Sequence, residues 1–240
     1  MQKPLVIITG ASSGIGEATA RLLSERGYPL LLLARRLERL QQLALPQTLC
    51  RAVDVTDAAA LAGAVQEAEA LYGPADLLIN NAGVMLLGSM AGQDPQEWQT
   101  MLDVNVKGLL NGIHAVLAGM VSRRHGTIIN ISSIAGRKTF PSHVAYCGTK
   151  FAVHAISENL REEVSAQDVR VITIAPGAVE TELLGHTTDA AIKQGYNEWK
   201  QQMGGVLNAQ TVAETIRFAY EQPQQVCIRE IVLAATRQPA

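Results

Sequence analysis

Cysteine, aromatic side chains and charge are all scarce in this chain, and each scarcity removes a class of protein. Only three cysteines occur among 240 residues: Cys50, Cys147 and Cys227. Three scattered thiols build neither a disulfide framework nor a zinc site, and no metal is expected. They fit reduced, mostly buried residues of a cytoplasmic protein. Aromatics make up 4% and charged residues 18%, while hydrophobic residues reach 48%. That balance excludes a disordered chain, which combines low hydrophobicity with high net charge. Lys and Arg number 20 against 22 Asp and Glu, a net charge of −2. No basic surplus points to nucleic acid or to an anionic membrane. No apolar run approaches the ~20 residues of a membrane span. The longest uncharged stretch, 77–93, is broken by Asn80, Asn81, Gly83, Gly88 and Gly92. The apolar run 5–8 is too short for a signal-peptide core.

What is present is an alternation of short apolar runs with longer amphipathic segments. Strands are expected at 5–9, 30–34, 48–53, 76–80, 127–131, 169–175 and 226–233. Helices are expected at 14–26, 36–43, 58–72, 143–167 and 211–221, with one or two more over 95–124. Near-continuous apolar strands between helices predict an α/β fold. It is a doubly wound parallel sheet of about seven strands, a Rossmann fold, with helices on both faces and right-handed crossovers. A single domain over 1–240 follows. Residues 181–205, polar and small, are the least regular stretch and are expected to form a mobile lid over substrate.

Gly10, Gly14 and Gly16 stand where the first strand turns into the first helix, in Thr9-Gly10-Ala11-Ser12-Ser13-Gly14-Ile15-Gly16. Such glycines permit a tight turn, close approach to a pyrophosphate and close helix packing. Alone, they also fit a structural turn with no ligand, and their spacing is not G-x-G-x-x-G. The second strand ends in Leu33-Ala34-Arg35-Arg36. There is no acid here to bind a ribose 2′-hydroxyl, and two guanidinium groups are suited to a 2′-phosphate. The cofactor is therefore read as NADP(H), with Arg35 as phosphate ligand and Arg36 either stacked on adenine or solvated. Tyr146 and Lys150 are four apart and share one helix face. Tyr196 and Lys200 have the same spacing, but Leu183 rather than a serine stands thirteen residues before Tyr196. That second pair is expected on the surface of the lid.

Further motifs follow in order. Asn80-Asn81-Ala82-Gly83 comes after the fourth strand, and Asn105 lies in Asp103-Val104-Asn105. Asn130-Ile131-Ser132-Ser133 closes the fifth strand, Tyr146-Cys147-Gly148-Thr149-Lys150 opens a long helix, and Pro176-Gly177 and Thr181 follow the sixth strand. Together with the turn T-G-x-x-x-G-I-G, this order resembles the short-chain dehydrogenase/reductase family over essentially the whole chain. Within it, the chain resembles the NADP-dependent branch acting on 3-hydroxy acids, serine and related alcohols, which includes an NADPH-binding blue fluorescent member.

The resemblance implies an oxidoreductase that reduces a carbonyl to an alcohol, or the reverse, with NADP(H). It implies Tyr146 as general acid/base, Lys150 as its electrostatic partner and ribose ligand, Ser133 as donor to the substrate oxygen, and Asn105 as anchor of a proton relay. A free phenol with a pKa of about 10 is a poor base at neutral pH, and a nearby ammonium lowers that value. Ser133 would stabilise the developing oxyanion.

Cofactor contacts are implied at Gly10, Ser12, Ser13, Gly14, Ile15 and Gly16 around the phosphates, and at Arg35 and Arg36. Asp54 and Val55 would meet adenine. Asn81, Ala82, Gly83, Pro176, Gly177, Val179, Thr181, Tyr146 and Lys150 complete the set, with Gly83 beside the adenosine ribose. Ser13 stands where some NADP-dependent relatives carry a second basic residue.

The substrate pocket is expected along Val84, Met85, Leu86, Ala135, Gly136, Arg137, His143, Ala178 and Trp199. Arg137 either meets an anionic substrate or is an exposed loop arginine. Ser132, Asn80 and Cys147 are read as supporting residues. Family members are usually homotetramers or homodimers built on the two long helices and the last strand. Leu109, Leu110, Val116 and Ile156 serve such interfaces or the core. The alternative to an enzyme is an NADPH-binding, fluorescent or sensing protein with little turnover, against which the intact Ser133, Tyr146 and Lys150 argue.

Overall fold

The computed structural model describes residues 3–239. Seven strands form one parallel sheet: β1 (Leu5–Thr9), β2 (Leu30–Ala34), β3 (Thr48–Ala52), β4 (Ala75–Asn80), β5 (Gly126–Ile131), β6 (Val169–Pro176) and β7 (Glu230–Leu233). Their spatial order is β3-β2-β1-β4-β5-β6-β7, all neighbours being parallel. The direction of winding reverses between β1 and β4, which opens a crevice at the carboxyl ends of the strands. The expected Rossmann fold is the fold observed.

Successive strand residues face opposite sides of a sheet. Leu5 and Ile7 accordingly pack against one layer of helices, and Val6 and Ile8 against the other. The first layer holds α3 (Ala58–Tyr72), α5 (Gly108–Arg123) and α6 (Val144–Val164), through Leu61, Val65, Ile113, Val116, Val153 and Leu160. The second holds α1 (Gly14–Glu25), α2 (Leu37–Gln41) and α8 (Ala209–Tyr220), through Leu23, Leu40, Val212 and Ile216. Burying five central strands on both faces makes them read as near-continuous apolar runs, interrupted in β4, β5 and β6 by a few polar residues such as Asn80, Asn130 and Arg170.

Where the elements depart from expectation, the reasons are local. The segment 95–124 forms α4 (Pro95–Leu102) and α5 joined by a π turn, Asp103–Lys107, in which Gly108 N–H bonds Asp103 O, five residues back. Contrary to the expectation that no segment is long and apolar enough for a membrane, the continuous helical run Pro95–Arg123 meets that test by length and composition. Its apolarity has a packing cause, because Leu109, Ile113, Val116 and Met120 are buried in the sheet's helical layer. Residues 226–229 precede β7 without a ladder, apart from the bond from Thr173 N–H to Arg229 O. The stretch 181–205 is regular rather than loose. It contains a 3-10 turn, Glu182–His186, and the helix α7 (Ala190–Gln202), capped by Asp189 accepting from Ile192 N–H.

Candidate active site and cofactor cleft

The carboxyl ends of β1, β4, β5 and β6 converge on a cavity of about 630 Å³. The glycine turn forms its floor. Gly10 and Gly14 have φ of +64° and +56°, the left-handed region that favours glycine. A Cβ on Gly10 would stand 2.8 Å from Ala82 Cα, and one on Gly16 only 2.4 Å from Gly10 O. These close approaches are stitched by Asn81, whose Nδ2 donates to Thr9 O at 3.0 Å and to Gly10 O at 3.1 Å. Thr9 Oγ1 in turn accepts from Asn81 N–H and Ala82 N–H. Ser13 stands at the N-cap of α1 in extended conformation, and its side chain makes no capping bond. The first N–H groups of a 12-residue helix therefore face the cleft unshielded, as an anion site requires. A bare glycine cradle under an uncapped helix fits a pyrophosphate.

At the adenosine end, Arg35, Arg36, Asp54 and Val55 all line the cavity. Arg36 Nη2 donates to Ser12 Oγ at 3.3 Å. Burial opposes ionisation of Asp54, but bonds from Thr56 N–H and Oγ1 and the charge of Arg35 outweigh it and hold the carboxyl below its ordinary value. Val55 is fixed from behind by Asn111, whose Nδ2 donates to Val55 O at 2.8 Å. No local sequence pattern marks Asn111 for this role. The expected cofactor contacts Ser12, Ser13, Ile15, Asn81, Ala82, Gly83, Pro176, Gly177, Val179 and Thr181 also face this cavity. Gly16 does not line it and acts through helix packing instead.

Ser133, Tyr146 and Lys150 meet at the other end. Ser133 closes β5 in extended conformation, and its Oγ accepts from Ala135 N–H at 3.1 Å. Tyr146 and Lys150 are buried in the first two turns of α6. Lys150 Nζ donates to Ile131 O at 3.0 Å and lies 5.8 Å from the centre of the Tyr146 ring. Burial pushes the Tyr146 phenol well above its ordinary value, with Tyr196 and Cys147 adding to the rise and a hydrogen bond with Ser133 opposing it. Burial pulls the Lys150 ammonium down to about 8. Desolvation therefore outweighs the expected lowering of the phenol by the nearby ammonium.

Asn105 sits in the π turn, behind the cavity wall rather than on it. Its Oδ1 accepts from Val84 N–H at 2.8 Å, and its Nδ2 donates to Val84 O at 2.9 Å and Thr149 Oγ1 at 3.1 Å. Gly83 lies between Asn105 and the amine: a Cβ there would stand 3.3 Å from Asn105 Oδ1 and 3.9 Å from Lys150 Nζ. Of the residues read as supporting, Ser132 also lines the cavity, whereas Asn80 lies behind it in the sheet. Ser132 Oγ donates to Lys150 O, and Asn80 Nδ2 donates to Asn130 Oδ1 across the sheet. The Cys147 thiol is pushed up by burial, which removes thiolate character.

The pocket beside Tyr146 differs from expectation in composition. Val84, Met85, Ala135, His143, Ala178 and Trp199 line it, but Leu86, Gly136 and Arg137 do not. Arg137 turns away to pair with Glu230 of β7 through two hydrogen bonds, one of them Nε to Oε1 at 2.9 Å. Tyr196, expected on the surface, lines the cavity with its ring centre 6.4 Å from His143 and 5.3 Å from Trp199. Only its companion Lys200 faces outward, paired with Glu180 at 3.0 Å. The spacing of Ile192, Tyr196 and Trp199 is the amphipathic signal that places α7 here. Glu182 and Phe140 are further lining residues without a local sequence signal.

Known proteins resemble this chain in sequence and fold. The short chain dehydrogenase family model matches residues 4–192. An uncharacterised oxidoreductase of Staphylococcus saprophyticus is 40% identical, over 98% of this chain and 96% of its own. The closed form of a serine dehydrogenase complexed with NADP+ superposes with a TM-score of 0.91 at 33% identity, over 98% and 96% of the two chains. An alcohol dehydrogenase from the archaeon Thermococcus sibiricus, complexed with 5-hydroxy-NADP, gives 0.86 at 26% identity, over 99% of each. A family match that runs unbroken through the glycine turn, the Ser133 strand end and the Tyr146 helix makes this chain a member of the short-chain dehydrogenases, a family of oxidoreductases.

Proposed function

We propose that the chain is an NADP(H)-dependent oxidoreductase that interconverts a carbonyl compound and its alcohol, working as one domain over 1–240. One observation carries the reading: a single cavity joins the Arg35–Arg36 pair, the glycine cradle and the cluster of Ser133, Tyr146 and Lys150. The cradle and the uncapped α1 hold the pyrophosphate, Arg35 and Arg36 the 2′-phosphate, and Lys150 the nicotinamide ribose. The NADP-bound state of two structural neighbours supports this choice of cofactor.

Bound NADPH supplies the hydride for reduction. Ser133 Oγ–H donates to the carbonyl oxygen as negative charge grows there. Tyr146 gives that oxygen its proton, and the raised phenol pKa keeps the proton in place until it is needed. Lys150, held on Ile131 O, favours the phenolate that remains. Asn105 holds the Val84 backbone at the wall behind the amine. Oxidation of the alcohol reverses each step. Residues 181–205 act as the lid. In support, α7 has no fully buried residue, and Gly204 and Gly205, at φ +73° and +125°, can hinge its end. A homodimer or homotetramer is supported by exposed Leu102, Leu110 and Phe151 on the long helices and by Phe218 and Val232 near the β7 edge. Leu109 and Val116 belong to the core instead, and Ile156 packs against it.

The test is Tyr146→Phe, assayed for NADPH oxidation over a panel of carbonyl compounds and for NADPH binding. General acid catalysis contributes roughly 10²–10⁴-fold, so turnover falls at least that far while NADPH still binds. Retention of more than about a tenth of wild-type turnover refutes the assignment.

A further inference from the structure

We infer that the carbonyl substrate is uncharged, with neither a carboxylate nor an ammonium beside the reacting carbon, and that Tyr196 packs against its apolar part and sets specificity. This rests on the carbonyl-reductase reading above and names the substrate class of the same site.

The charges of the cavity are segregated. Arg35, Arg36, Asp54, Glu182 and His186 gather at the adenosine end, where Arg36 pairs with Glu182 and Arg35 acts on Asp54 and His186. Beside Tyr146, the only lysine or arginine that lines the cavity among the described residues is Lys150. Its amine is engaged with Ile131 O at 3.0 Å, under the reacting centre. The basic residue that the sequence offers for a substrate carboxylate, Arg137, is outside the cavity and tied to Glu230. Lys200, at the end of α7, is tied to Glu180. His143 directs Nδ1 at Pro141 O, 2.6 Å away, and burial lowers its pKa, so the ring stays neutral at physiological pH. A carboxylate placed beside Tyr146 would lose its water without gaining a cationic partner.

An ammonium fares no better. Asp54 and Glu182, the acids that line the cavity, are at its far end, and Glu180 lies outside it. Lys150 repels a second cation. A zwitterionic amino acid therefore has no seat for either charge, although a serine dehydrogenase is among the structural neighbours.

What the site does offer is apolar and aromatic. Tyr196 and Trp199 stack at 5.3 Å between ring centres, His143 lies 6.2 Å from Tyr146, and Phe140 lies 5.6 Å from His143. Rings packed edge to face or tilted against one another form a wall suited to an alkyl or aryl group. Tyr196 stands at its middle, between His143 and Trp199.

Matched substrates test this. Wild-type protein with NADPH is given ethyl acetoacetate and acetoacetate, then benzaldehyde, cyclohexanone and a diketone, with L-serine and NADP+ in reverse. We expect kcat/KM for the ester to exceed that for the acid by ~100-fold or more, the scale on which a site rejects a group it leaves unpaired. Tyr196→Ala lowers kcat/KM for the ester by ~10-fold, the effect of removing an apolar contact, with the NADPH dissociation constant unchanged. Tyr196→Phe, which keeps the ring, recovers most of what Tyr196→Ala loses, because the ring makes the apolar contact. Equal rates with acid and ester, or turnover of L-serine, overturn the substrate class. An unchanged ester value in Tyr196→Ala overturns the role of Tyr196. A protein that binds NADPH and reduces none of the carbonyl compounds has lost the oxidoreductase reading itself, a result unlike either of the others.

Discussion

Glu182 reaches across the mouth of the cleft and holds Arg39 through both carboxylate oxygens, at 2.8 and 3.0 Å, while accepting a further bond from Arg36 at 3.2 Å. The second strand has no acid at its end, and the sequence argument for a 2′-phosphate depends on that. The fold supplies one from the far side, 146 residues beyond Arg36. Its carboxyl is held below the ordinary value by the bond from Arg39 first and that from Arg36 second. Both arginines are about half exposed, and exposed pairs contribute only ~0.2–1 kcal/mol. Glu182 thus competes with a 2′-phosphate for Arg36, but weakly. Glu182→Gln should tighten NADPH binding by ~2–10-fold and leave NADH binding unchanged, the expected scale for losing one such pair and a nearby like charge. Fluorescence titration of both cofactors decides it, and weaker NADPH binding would show that Glu182 instead positions Arg36.

The companion substitution is Arg35→Asp. Arg35 lines the cavity near Asp54, and among the described residues no carboxylate clasps it as Glu182 does Arg39. A charge-assisted bond is worth ~1.5–3 kcal/mol, so the ratio of kcat/KM for NADPH over NADH should fall by at least ~10-fold. An unchanged ratio assigns the phosphate to Arg36 and its neighbours.

The pH profile follows from Lys150. Its ammonium is pulled by burial from the ordinary lysine value down to about 8, so the charged form dominates below that pH and is lost above it. The charge supports the Tyr146 proton transfer. Accordingly kcat/KM for NADPH in the reducing direction should be level below pH 8 and fall as pH rises through it. Lys150→Arg, which stays charged throughout, should remove that limb of the profile even though its activity is lower. A flat wild-type profile to pH 10 contradicts the assignment.

The lid prediction concerns backbone amides between 185 and 203. Thr187 anchors the start of this stretch, its Oγ1 donating to Met85 O at 3.1 Å and accepting from Leu87 N–H at 3.2 Å. Beyond that anchor, α7 rests on the cavity through one face. Hydrogen exchange should slow across α7 when NADPH and a substrate analogue are added together. Equal protection with and without them would make α7 a rigid wall.

Much of the site is legible because its spacing is covalent. The turn from Thr9 to Gly16 and the pair Tyr146 and Lys150 each lie within one local element, so chain geometry alone brings them together. The parallel sheet is legible for a similar reason, since strands buried on both faces are mostly apolar, with only a few buried polar residues such as Thr127, Asn130 and Arg170 among them. Tyr196 was misread because Gly195 and the polar residues around it mask the amphipathic face of α7. The places of Arg137 and Glu182 are not legible, because their partners Glu230 and Arg36 lie 93 and 146 residues away in sequence. Nothing local in a sequence announces such pairings. The π turn is hidden too, since a single extra residue barely disturbs an apolar period.

That extra residue has a structural consequence. The widened turn absorbs it, so α5 keeps Leu109, Ile113 and Val116 on the sheet. If one of residues 103–107 were deleted, the turn would close as ordinary α-helix and the interior would stay packed. Asn105, however, would shift against Val84, and its amide would lose its grip there. The additional residue thus serves the reaction centre and not the interior.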